Sequence, residues 1–478
     1  MYKAYITALT NVRKHPNADR LLLADVFGNT VCVSTDYYEG EVGVYFPTDG
    51  QLSVEFAEKN NLVRKKDDAG NNIGGYMDPD KRNVTAIRLR GEKSDGLFLP
   101  LSCLAYTGVD MDTLNVGDVI EGTVNGHEIC QKYIPRTNKS ARVSGGNKTR
   151  KHKTPTAPLF AEHADTEQLA YNLSAFKPGD EIEITLKMHG TSQRTGYLPV
   201  LKGYKRTFLD WLFRREGKPI YDWGYVSGTR RVVLDSYDGG FYGDNQFREQ
   251  HSKMFEGKLN KGETVYYEVV GFTTSGQPIM GDASNKKLND KEFIKQYGET
   301  TRFSYGCHPD GTNHLTVNGG EGDPFFDPRP QSDIYVYRMT MTNEDGFVVE
   351  YTSEFMRYRC EQMGVKCVPV FFRGRVPQFA NIMYVDKNEN DRPDAGEIAY
   401  TKKMDAGEWV MKMAEQFYDG PDPVGKTHVR EGVVVRILNR PKFAAYKHKN
   451  FSFKVLEGII KDTAASPDME EAQEVDNA

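Results

Sequence analysis

One lysine stands where a covalent nucleophile could act. The segment LKMHGTSQRTGYL (186–198) predicts a strand that ends at Lys187 and a turn that contains Gly190. A lysine amine attacks an electrophile only after it loses its proton, which burial or nearby cations favour by lowering its pKa. Gly190 has no Cβ, so the backbone can turn closely around a ligand there. This spacing alone is a weak signal, because any surface lysine before a turn matches it.

Two carboxylates lie inside apolar strand patterns further along the chain. Glu268 is in YYEVV and Glu431 is in REGVV. A carboxylate between apolar neighbours is costly unless it has a partner. We therefore predict that each has a polar or charged partner in a functional site.

These residues belong to six short motifs that follow one another in order. The motifs are KMHGTS (187–192), SGTRR (227–231), YYEVVGF (266–272), YVYR (335–338), EGVVVR (431–436) and KHKNFSFK (447–454). Together they resemble the nucleotidyltransferase motifs of covalent polynucleotide ligases, and the forms KxHGT and KxKN resemble the RNA ligase 2-like family. The segment HPNADRLLLADV (15–26) is similar to the start of OB-fold tRNA-binding domains. It matches the subgroup that carries an OB module before the catalytic domain.

The resemblance implies an ATP-dependent RNA ligase. Lys187 would attack the α-phosphorus of ATP to give lysyl-AMP, AMP would pass to a 5′-phosphate, and a 3′-OH would then seal the strand. Phosphoryl transfer needs in-line positioning and neutralised charge. The family positions that match Glu268 and Glu431 contact the nucleotide sugar or the waters of a divalent metal, Mg²⁺ or Mn²⁺. The implied partner is RNA or an RNA-containing nicked duplex.

Further nucleotide contacts are implied by the same motifs. Arg230 matches an arginine that contacts phosphate, with neighbouring Arg231 as the competing candidate. Tyr337 matches the aromatic residue that stacks on adenine, although an ordinary strand-core tyrosine has the same pattern. His189 replaces the aspartate of the KxDG form, and Gly190 completes the motif.

The last motif supplies two lysines. Lys447 and Lys449 are two residues apart, which places both on one side of a strand. The resemblance implies that they converge on the α-phosphate, where they would also depress the pKa of Lys187. Lys454 is a reserve candidate. Ser192 departs from the family pattern, which commonly has Asn there.

The elements around these motifs predict an α+β protein. Short β-type runs separated by Gly, Asn and Asp fill residues 1–125 and predict a small barrel or sandwich, with one short helix at 53–62. The resemblance of HPNADRLLLADV implies that this domain is an OB-like β-barrel. A basic linker follows (126–165), then a mixed α/β nucleotidyltransferase domain with antiparallel sheets, ATP-grasp-like, over 166–461, and an acidic disordered tail (462–478). FSFKVLEG (451–458) and EGVVVRIL (431–438) are both predicted as strands, and 406–419 as a helix.

Net charge is misleading in this chain. Lys+Arg is 62 and Asp+Glu is 67, which gives −5 and argues on its face against a nucleic-acid partner. However, residues 131–153 contain eight basic residues and no acid, and the last seventeen contain six acids and no base. A local basic segment can track a phosphate backbone, although a merely solvated linker has the same composition.

No apolar run approaches the roughly 20 residues that span a bilayer. The N-terminal segment has no signal-peptide pattern, and none of the six cysteines forms CxxC. We therefore expect a cytoplasmic protein with free thiols, no membrane partner and a monomeric state.

Two other matches are set aside. GPDPVGKT (420–427) fits the P-loop pattern, but its prolines have no N–H groups and a strand follows where a helix is required. DKNENDRPDAGE (386–397) resembles a calcium loop but has Asp391 where the turn requires Gly, so a polar surface turn is favoured. The long polar segment 273–333 is an insertion of open role.

Two alternatives belong to other classes of protein. One is a non-catalytic RNA- or tRNA-binding protein that uses its OB domain and basic linker. The other is a GTP-using, capping-type nucleotidyltransferase. The joint presence of Lys187, Glu268, Glu431, Lys447 and Lys449 weighs against the first. The form KxHG and the N-terminal OB position weigh against the second.

Overall fold

The structure is a computed structural model. It describes residues 2–66, 72–133, 155–163, 166–213, 217–234, 236–237, 242, 245–307, 331–377, 380–384, 399–403 and 405–461. Most of the predicted basic linker, the whole acidic tail and the calcium-like loop at 386–397 lie outside these residues. No helix among the described residues is long and apolar enough to cross a membrane.

Strands predominate among the described elements. Up to Lys132 the strands are β1 Ala4–Ala8, β2 Thr10–Lys14, β3 Leu21–Val26, β4 Asn29–Ser34, β5 Val42–Phe46, β6 Gly50–Leu52, β7 Lys65–Lys66, β8 Asn72–Gly74, β9 Asn83–Val84, β10 Ala86–Leu89, β11 Glu92–Asp95, β12 Leu97–Pro100, β13 Val119–Ile120, β14 Thr123–Val124, β15 His127–Glu128 and β16 Cys130–Lys132. From Glu167 on they are β17 Glu167–Gln168, β18 Glu181–Leu186, β19 Thr191–Lys205, β20 Lys218–Gly228, β21 Glu263–Gly271, β22 Ala283–Ser284, β23 Thr300–Thr301, β24 Ser332–Thr342, β25 Val348–Glu350, β26 Lys366–Cys367, β27 Val370–Arg375, β28 Ala380–Tyr384, β29 Ala399–Lys403, β30 Gly432–Ile437 and β31 Ala445–Lys449. The helices are α1 Val54–Lys59, α2 Phe208–Leu212, α3 Gln246–Lys253, α4 Lys291–Tyr297, α5 Ser353–Met363, α6 Ala406–Glu415 and α7 Phe451–Lys461.

The chain divides into two compact units. Unit 1 contains Met1–Thr137, Ala283–Thr301 and Phe451–Asp468, and unit 2 contains Asn138–Asp282, Arg302–Asn450 and Met469–Ala478. Two segments from beyond residue 166 therefore belong to the N-terminal unit.

Unit 1 is built from small antiparallel sheets. One has the strand order β12-β5-β1-β13, and two others have the orders β2-β3-β4 and β16-β6-β9. Its core buries Phe46 and Phe56, whose rings lie 5.3 Å apart, and Ser53 caps α1 by accepting the N–H of Phe56. The predicted short helix is thus confirmed. The described strands do not close into a barrel, so the OB-like barrel stays a prediction.

The two late segments of unit 1 are fixed to the early strands by ion pairs. Asp290, which caps α4, lies 2.9 Å from Arg88 of β10. Lys454 of α7 lies 2.5 Å from Asp95 of β11. The prediction of a strand at FSFKVLEG is wrong, because α7 is a helix. The alternating apolar residues there suggested a strand, but Phe453 and Leu456, three residues apart, share the buried face of a helix.

Unit 2 contains two mostly antiparallel sheets. One has the order β17-β31-β30-β18-β27 and the other the order β20-β19-β21-β24-β25, with β26 beside β24. The predicted α+β class and antiparallel sheets are confirmed. The second sheet buries one face against α5, where Val269 and Val336 pack with Met356 and Cys360. Each motif strand predicted from the sequence, the last helical segment excepted, forms part of one of these two sheets.

Candidate active site

Four predicted residues at or near the strand ends of the first sheet form one cluster. Lys187 Nζ lies 2.8 Å from Glu431 Oε1, and Lys449 Nζ lies 3.4 Å from the same oxygen. His189 Nδ1 is 3.6 Å from Glu431 Oε2. Residues that are up to 262 positions apart in sequence therefore meet at one buried carboxylate, which is 2% exposed.

Strand pairing accounts for this convergence. Strand β18 pairs with β30, and β30 pairs with β31, so the end of β18 lies beside the start of β30. The Lys187 N–H donates to the Gly432 carbonyl at 3.0 Å. Gly432 has φ +145°, and a Cβ there would lie 2.1 Å from the His448 carbonyl oxygen. Only glycine allows β30 and β31 to approach this closely, and the approach sets Glu431 beside Lys449.

The electrostatics of the cluster keep its carboxylate ionised. Burial alone would raise the pKa of Glu431, but Lys187 and Lys449 outweigh that effect and hold its pKa far below the ordinary range. The Glu431 carboxylate is therefore a fixed negative charge that orients two ammonium groups.

Aromatic side chains enclose the turn after Lys187. The His189 N–H donates to Tyr305 Oη at 2.7 Å, and the His189 ring makes an edge contact with Phe303 at 4.6 Å. Burial raises the pKa of Tyr305 well above its ordinary value, so this phenol stays neutral. His428 packs against both aromatic rings, at 5.2 and 4.7 Å. No sequence motif marks Phe303, Tyr305 or His428: the first two lie in the insertion, and His428 directly follows the P-loop-like turn.

The second sheet contributes a polar row that includes Glu268. Ser192, Glu268 and Tyr335 are register partners across β19, β21 and β24, so they share one face. Tyr337 lies on the same face as Tyr335, and its hydroxyl is 2.9 Å from Ser192 Oγ. Gly190 lies against this sheet, where a Cβ would be 2.4 Å from the Val269 carbonyl oxygen. A side chain at 190 would push the motif turn away from β21.

A buried arginine holds the start of β19 in place. Arg248 of α3 is 1% exposed and donates to the Ser192 carbonyl at 3.1 Å and to Thr191 Oγ1 at 2.5 Å. Sequence reasoning missed Arg248, since a lone arginine in a polar helix has the pattern of a surface charge.

Arg230 lies beside a histidine that the sequence analysis did not identify. The His163 N–H donates to the Arg230 carbonyl at 3.2 Å, and the His163 ring is 5.1 Å from Tyr337. Burial, then Arg230 and Arg338, hold the pKa of His163 well below its ordinary value, so its ring is neutral. Arg230 is half-buried, whereas its competitor Arg231 is exposed. Of the two arginines, Arg230 is the less exposed, and it lies beside the histidine that contacts Tyr337.

The remaining lysine candidates fall in different places. Lys447 is half-buried on β31, two residues before Lys449, and pairs in register with Val434. Lys454 belongs to unit 1, where it pairs with Asp95.

The turn that resembles a P-loop has its own internal ligand. Asp422 accepts the N–H groups of Val424 and Gly425 at 2.8 and 2.9 Å. Helix α6 precedes the turn and β30 follows it, which is the reverse of the P-loop order. Those N–H groups therefore face Asp422 rather than a phosphate.

The available carboxylates fit a divalent metal that keeps most of its waters. Among the described residues, no group of three or more His, Cys, Asp or Glu side chains could hold a metal ion by itself. Glu268 lies on β21 of the second sheet, and Glu431 directly precedes β30 of the first. A Mg²⁺ or Mn²⁺ ion held by one or two carboxylates usually completes its shell with water and substrate phosphates, which matches this sparse donor set.

The fold built on these two sheets is also found in solved structures of other proteins. Solved structures of RNA ligase from Naegleria gruberi have it: a mutant with ATP and Mn has a TM-score of 0.51 and 15% identity, and covers 94% of this chain and 98% of that one. An apo mutant (TM-score 0.52, 16% identity, 94% and 96% coverage) and the ligase with PPi (0.51, 17%, 94% and 97%) agree. No protein-family model and no curated protein matches the chain. The likeness in fold confirms the predicted resemblance to RNA ligases at that level.

Proposed function

We propose that this protein is an ATP-dependent RNA ligase that carries AMP on Lys187. The observation that carries the proposal is the convergence of Lys187, His189 and Lys449 on buried Glu431. A lysine amine held beside a fixed carboxylate and a second cation is suited to attack a phosphorus atom and to tolerate the charge that develops there. The ligase structures of similar fold contain ATP or AMP with Mn.

In the first step, Lys187 Nζ forms a P–N bond to the α-phosphorus of ATP, and the P–O bond to pyrophosphate breaks. The ammonium must first lose a proton. Glu431 is a poor acceptor for it, since its pKa is held so low, and Lys187 is 23% exposed, so the proton leaves to solvent. Glu431 orients the amine, while Lys447 and Lys449 neutralise the phosphate. A divalent cation held by Glu268 or Glu431 through waters would supply further positive charge.

The nucleoside is assigned to the second sheet. Tyr337 stacks on adenine, Glu268 contacts the sugar, and Arg230 contacts phosphate. The shared face of β19, β21 and β24 supports this assignment, because it places Ser192, Glu268 and Tyr337 together. In the later steps AMP passes to an RNA 5′-phosphate, and a 3′-OH displaces it to seal the strand. The OB-like N-terminal region and the basic linker hold the RNA.

Covalent labelling tests this function. The full chain is incubated with α-labelled ATP or GTP and Mg²⁺ or Mn²⁺, and label is sought on a denaturing gel. We expect label from ATP that is absent in Lys187→Ala. The Lys187→Arg variant is a matched control, since it keeps the cation beside Glu431 but lacks the nucleophilic amine. Label from GTP alone would indicate a capping-type enzyme, and no label from either nucleotide would favour a non-catalytic RNA-binding protein.

A further inference from the structure

The hairpin of β19 and β20 extends beyond the core of unit 2. Its lower half is packed, because Leu198, Val200 and Val226 form a buried cluster with Ala157 and Phe160. We define the hairpin tip as residues 201–213 and 217–222. None of its residues whose exposure is described is fully buried. The tip is therefore an exposed projection on a rigid base.

Large apolar side chains are concentrated on the tip. Phe208, Trp211, Leu212 and Phe213 are 73%, 66%, 54% and 62% exposed. The Phe208 and Trp211 rings lie 5.9 Å apart on the short helix α2. A cluster of exposed aromatic residues of this kind marks a binding surface rather than a solvated loop.

The charges of the tip favour an anionic partner. It contains four basic residues against two acids, which gives 4 − 2 = +2; the basic ones are Lys202, Lys205, Arg206 and Lys218. Lys205 and Lys218 are direct register partners across the hairpin. Like charges in that position destabilise a strand pair. No described carboxylate forms an ion pair with either lysine, so the repulsion is left for a ligand to relieve.

A concave site lies beside the aromatic residues. A cavity of about 510 Å³ is lined by Arg206, Asp210, Trp211 and Leu212. The Asp210 carboxylate of α2 accepts the N–H of Thr207, the residue before the helix, at 2.9 Å. An indole face beside a guanidinium offers a stacking surface next to a positive charge. A lipid surface needs neither a cavity nor a carboxylate, so the lining favours a nucleic acid over a membrane.

We propose that the hairpin tip is a docking site for single-stranded RNA, with a base stacked on Trp211 and the backbone phosphates near Lys205 and Lys218. The proposal rests on the proposed ligase function and names a second contact for its RNA substrate. Strand β19 begins at Thr191, beside the polar row, and runs fourteen residues to Lys205. At roughly 3.3 Å per residue the tip lies about 45 Å along the strand from that row. A single strand that keeps the roughly 3.4 Å rise per nucleotide of a stacked duplex strand needs about 13 nucleotides to span that length.

The test measures RNA affinity and chemistry separately in the full chain. The probe is a 5′-phosphorylated, fluorescent 24-nucleotide single-stranded RNA, read by anisotropy without ATP. Trp211→Ala should weaken binding about tenfold, the size of one base–aromatic stack. Phe347→Ala is the matched control, because Phe347 is 71% exposed in the acidic turn between β24 and β25 of the same unit. This variant should bind the RNA as tightly as the wild-type protein does. ATP labelling should be unchanged in both variants.

Two comparisons keep the result decisive. A six-nucleotide RNA cannot reach from the Lys187 cluster to the hairpin tip, so the rate at which it is sealed should be insensitive to Trp211→Ala. An equal loss of sealing rate with the six-nucleotide and the 24-nucleotide RNA would overturn the proposal. Unchanged 24-nucleotide affinity in Trp211→Ala would also overturn it, as would Trp211-dependent flotation with phosphatidylserine vesicles in place of RNA binding. If Trp211→Ala is poorly folded, Phe208→Ala gives the same readout. Failure of the ligase function would instead appear as absent ATP label in the wild-type protein, whatever the RNA affinity.

Discussion

Two groups of lysines in unit 2 differ in how their charge is balanced. Lys187 and Lys449 share buried Glu431, with Nζ–Oε1 distances of 2.8 and 3.4 Å. Lys205 and Lys218 face each other at the hairpin tip, both exposed, with no ion pair to a described carboxylate. An internal carboxylate offsets part of the charge of the first group, whereas no described carboxylate pairs with the second.

The difference shows how lysine can take part in a reaction in one place and bind a polyanion in another. Buried cations need a partner, because an uncompensated charge in the interior costs several kcal/mol. The carboxylate that satisfies them also fixes their geometry, which a reaction requires. Exposed cations keep their hydration and bind a polyanion mainly by releasing its counterions. Such binding is strong only at low salt, and it requires little geometric precision.

The largest expected effect comes from breaking the buried group. Glu431→Gln should reduce ATP labelling by about 100-fold, since the amine loses the group that orients it. It should also lower the free energy of unfolding by about 3 kcal/mol, because buried Lys449 and half-buried Lys187 lose their counter-charge. Quantified gel label and urea unfolding measure the two effects.

A buried ion pair outside the site provides the control. Glu263 lies 2.8 Å from Arg359 and is fully buried, so Glu263→Gln should cost comparable stability. Labelling per folded molecule should stay within a few-fold of the wild type. If Glu263→Gln lost labelling as severely as Glu431→Gln, the buried lysine cluster would have no special role.

The buried imidazole of His251 sharpens the comparison. No described carboxylate forms an ion pair with it, whereas Glu431 forms one with each lysine of the first group. His251 is buried with Nε2 2.8 Å from Ser332 Oγ, and burial lowers the pKa of His251 to about 4. Between pH 6.5 and 4 the unfolded chain binds a proton that the folded chain does not, so stability falls as the pH falls through this window. From pH 7.5 to pH 5 this group should cost about 2 kcal/mol, close to a 30-fold change in the unfolding equilibrium.

Urea unfolding at both pH values, in wild type and His251→Asn, isolates that contribution. The variant has no ring to protonate and should lose about 2 kcal/mol less than the wild type over the same interval. Identical pH dependence in the two proteins would show that burial does not suppress the charge at this position.

The smallest effect concerns the exposed lysines. Replacing Lys205 and Lys218 by Gln should reduce the slope of log affinity against log salt by about 1.4, because each phosphate that a cation neutralises on a single strand adds about 0.7 to that slope. This corresponds to roughly a sevenfold change in relative RNA affinity between 50 and 200 mM salt. Anisotropy titrations across that range measure the slope. An unaltered slope would mean that these lysines do not bind phosphate. The free energy of unfolding should not fall, because the substitutions remove a like-charge pair across the hairpin.

The sequence predicted the parts of the site that lie on strands with recognisable motifs. Lys187, Glu431 and Lys449 each sit in a short segment whose type and order carry information, and strand pairing then brings them together. Arg248 and Tyr305 could not be found in this way. Their roles depend on contacts made 56 and 116 residues away, with no local pattern that marks them.

The fold shows the same limit. The α+β class, the antiparallel sheets and the short helix α1 follow from local periodicity. Helix α7 was mistaken for a strand, since a few alternating apolar residues fit either element until the buried face is known. The assignment of 283–301 and 451–461 to unit 1 depends on tertiary ion pairs such as Arg88–Asp290, which periodicity does not encode.

The Asp422 turn bears on how such chains are recognised. Its carboxylate holds the two amides that a phosphate oxygen would hold in a true P-loop, so it acts as a built-in phosphate mimic. The two amides are therefore not available to bind an external anion unless Asp422 moves away. A nucleotide has to compete there with a group that is covalently present at every moment. A search for the sequence pattern alone would place ATP at a turn that already contains its own carboxylate.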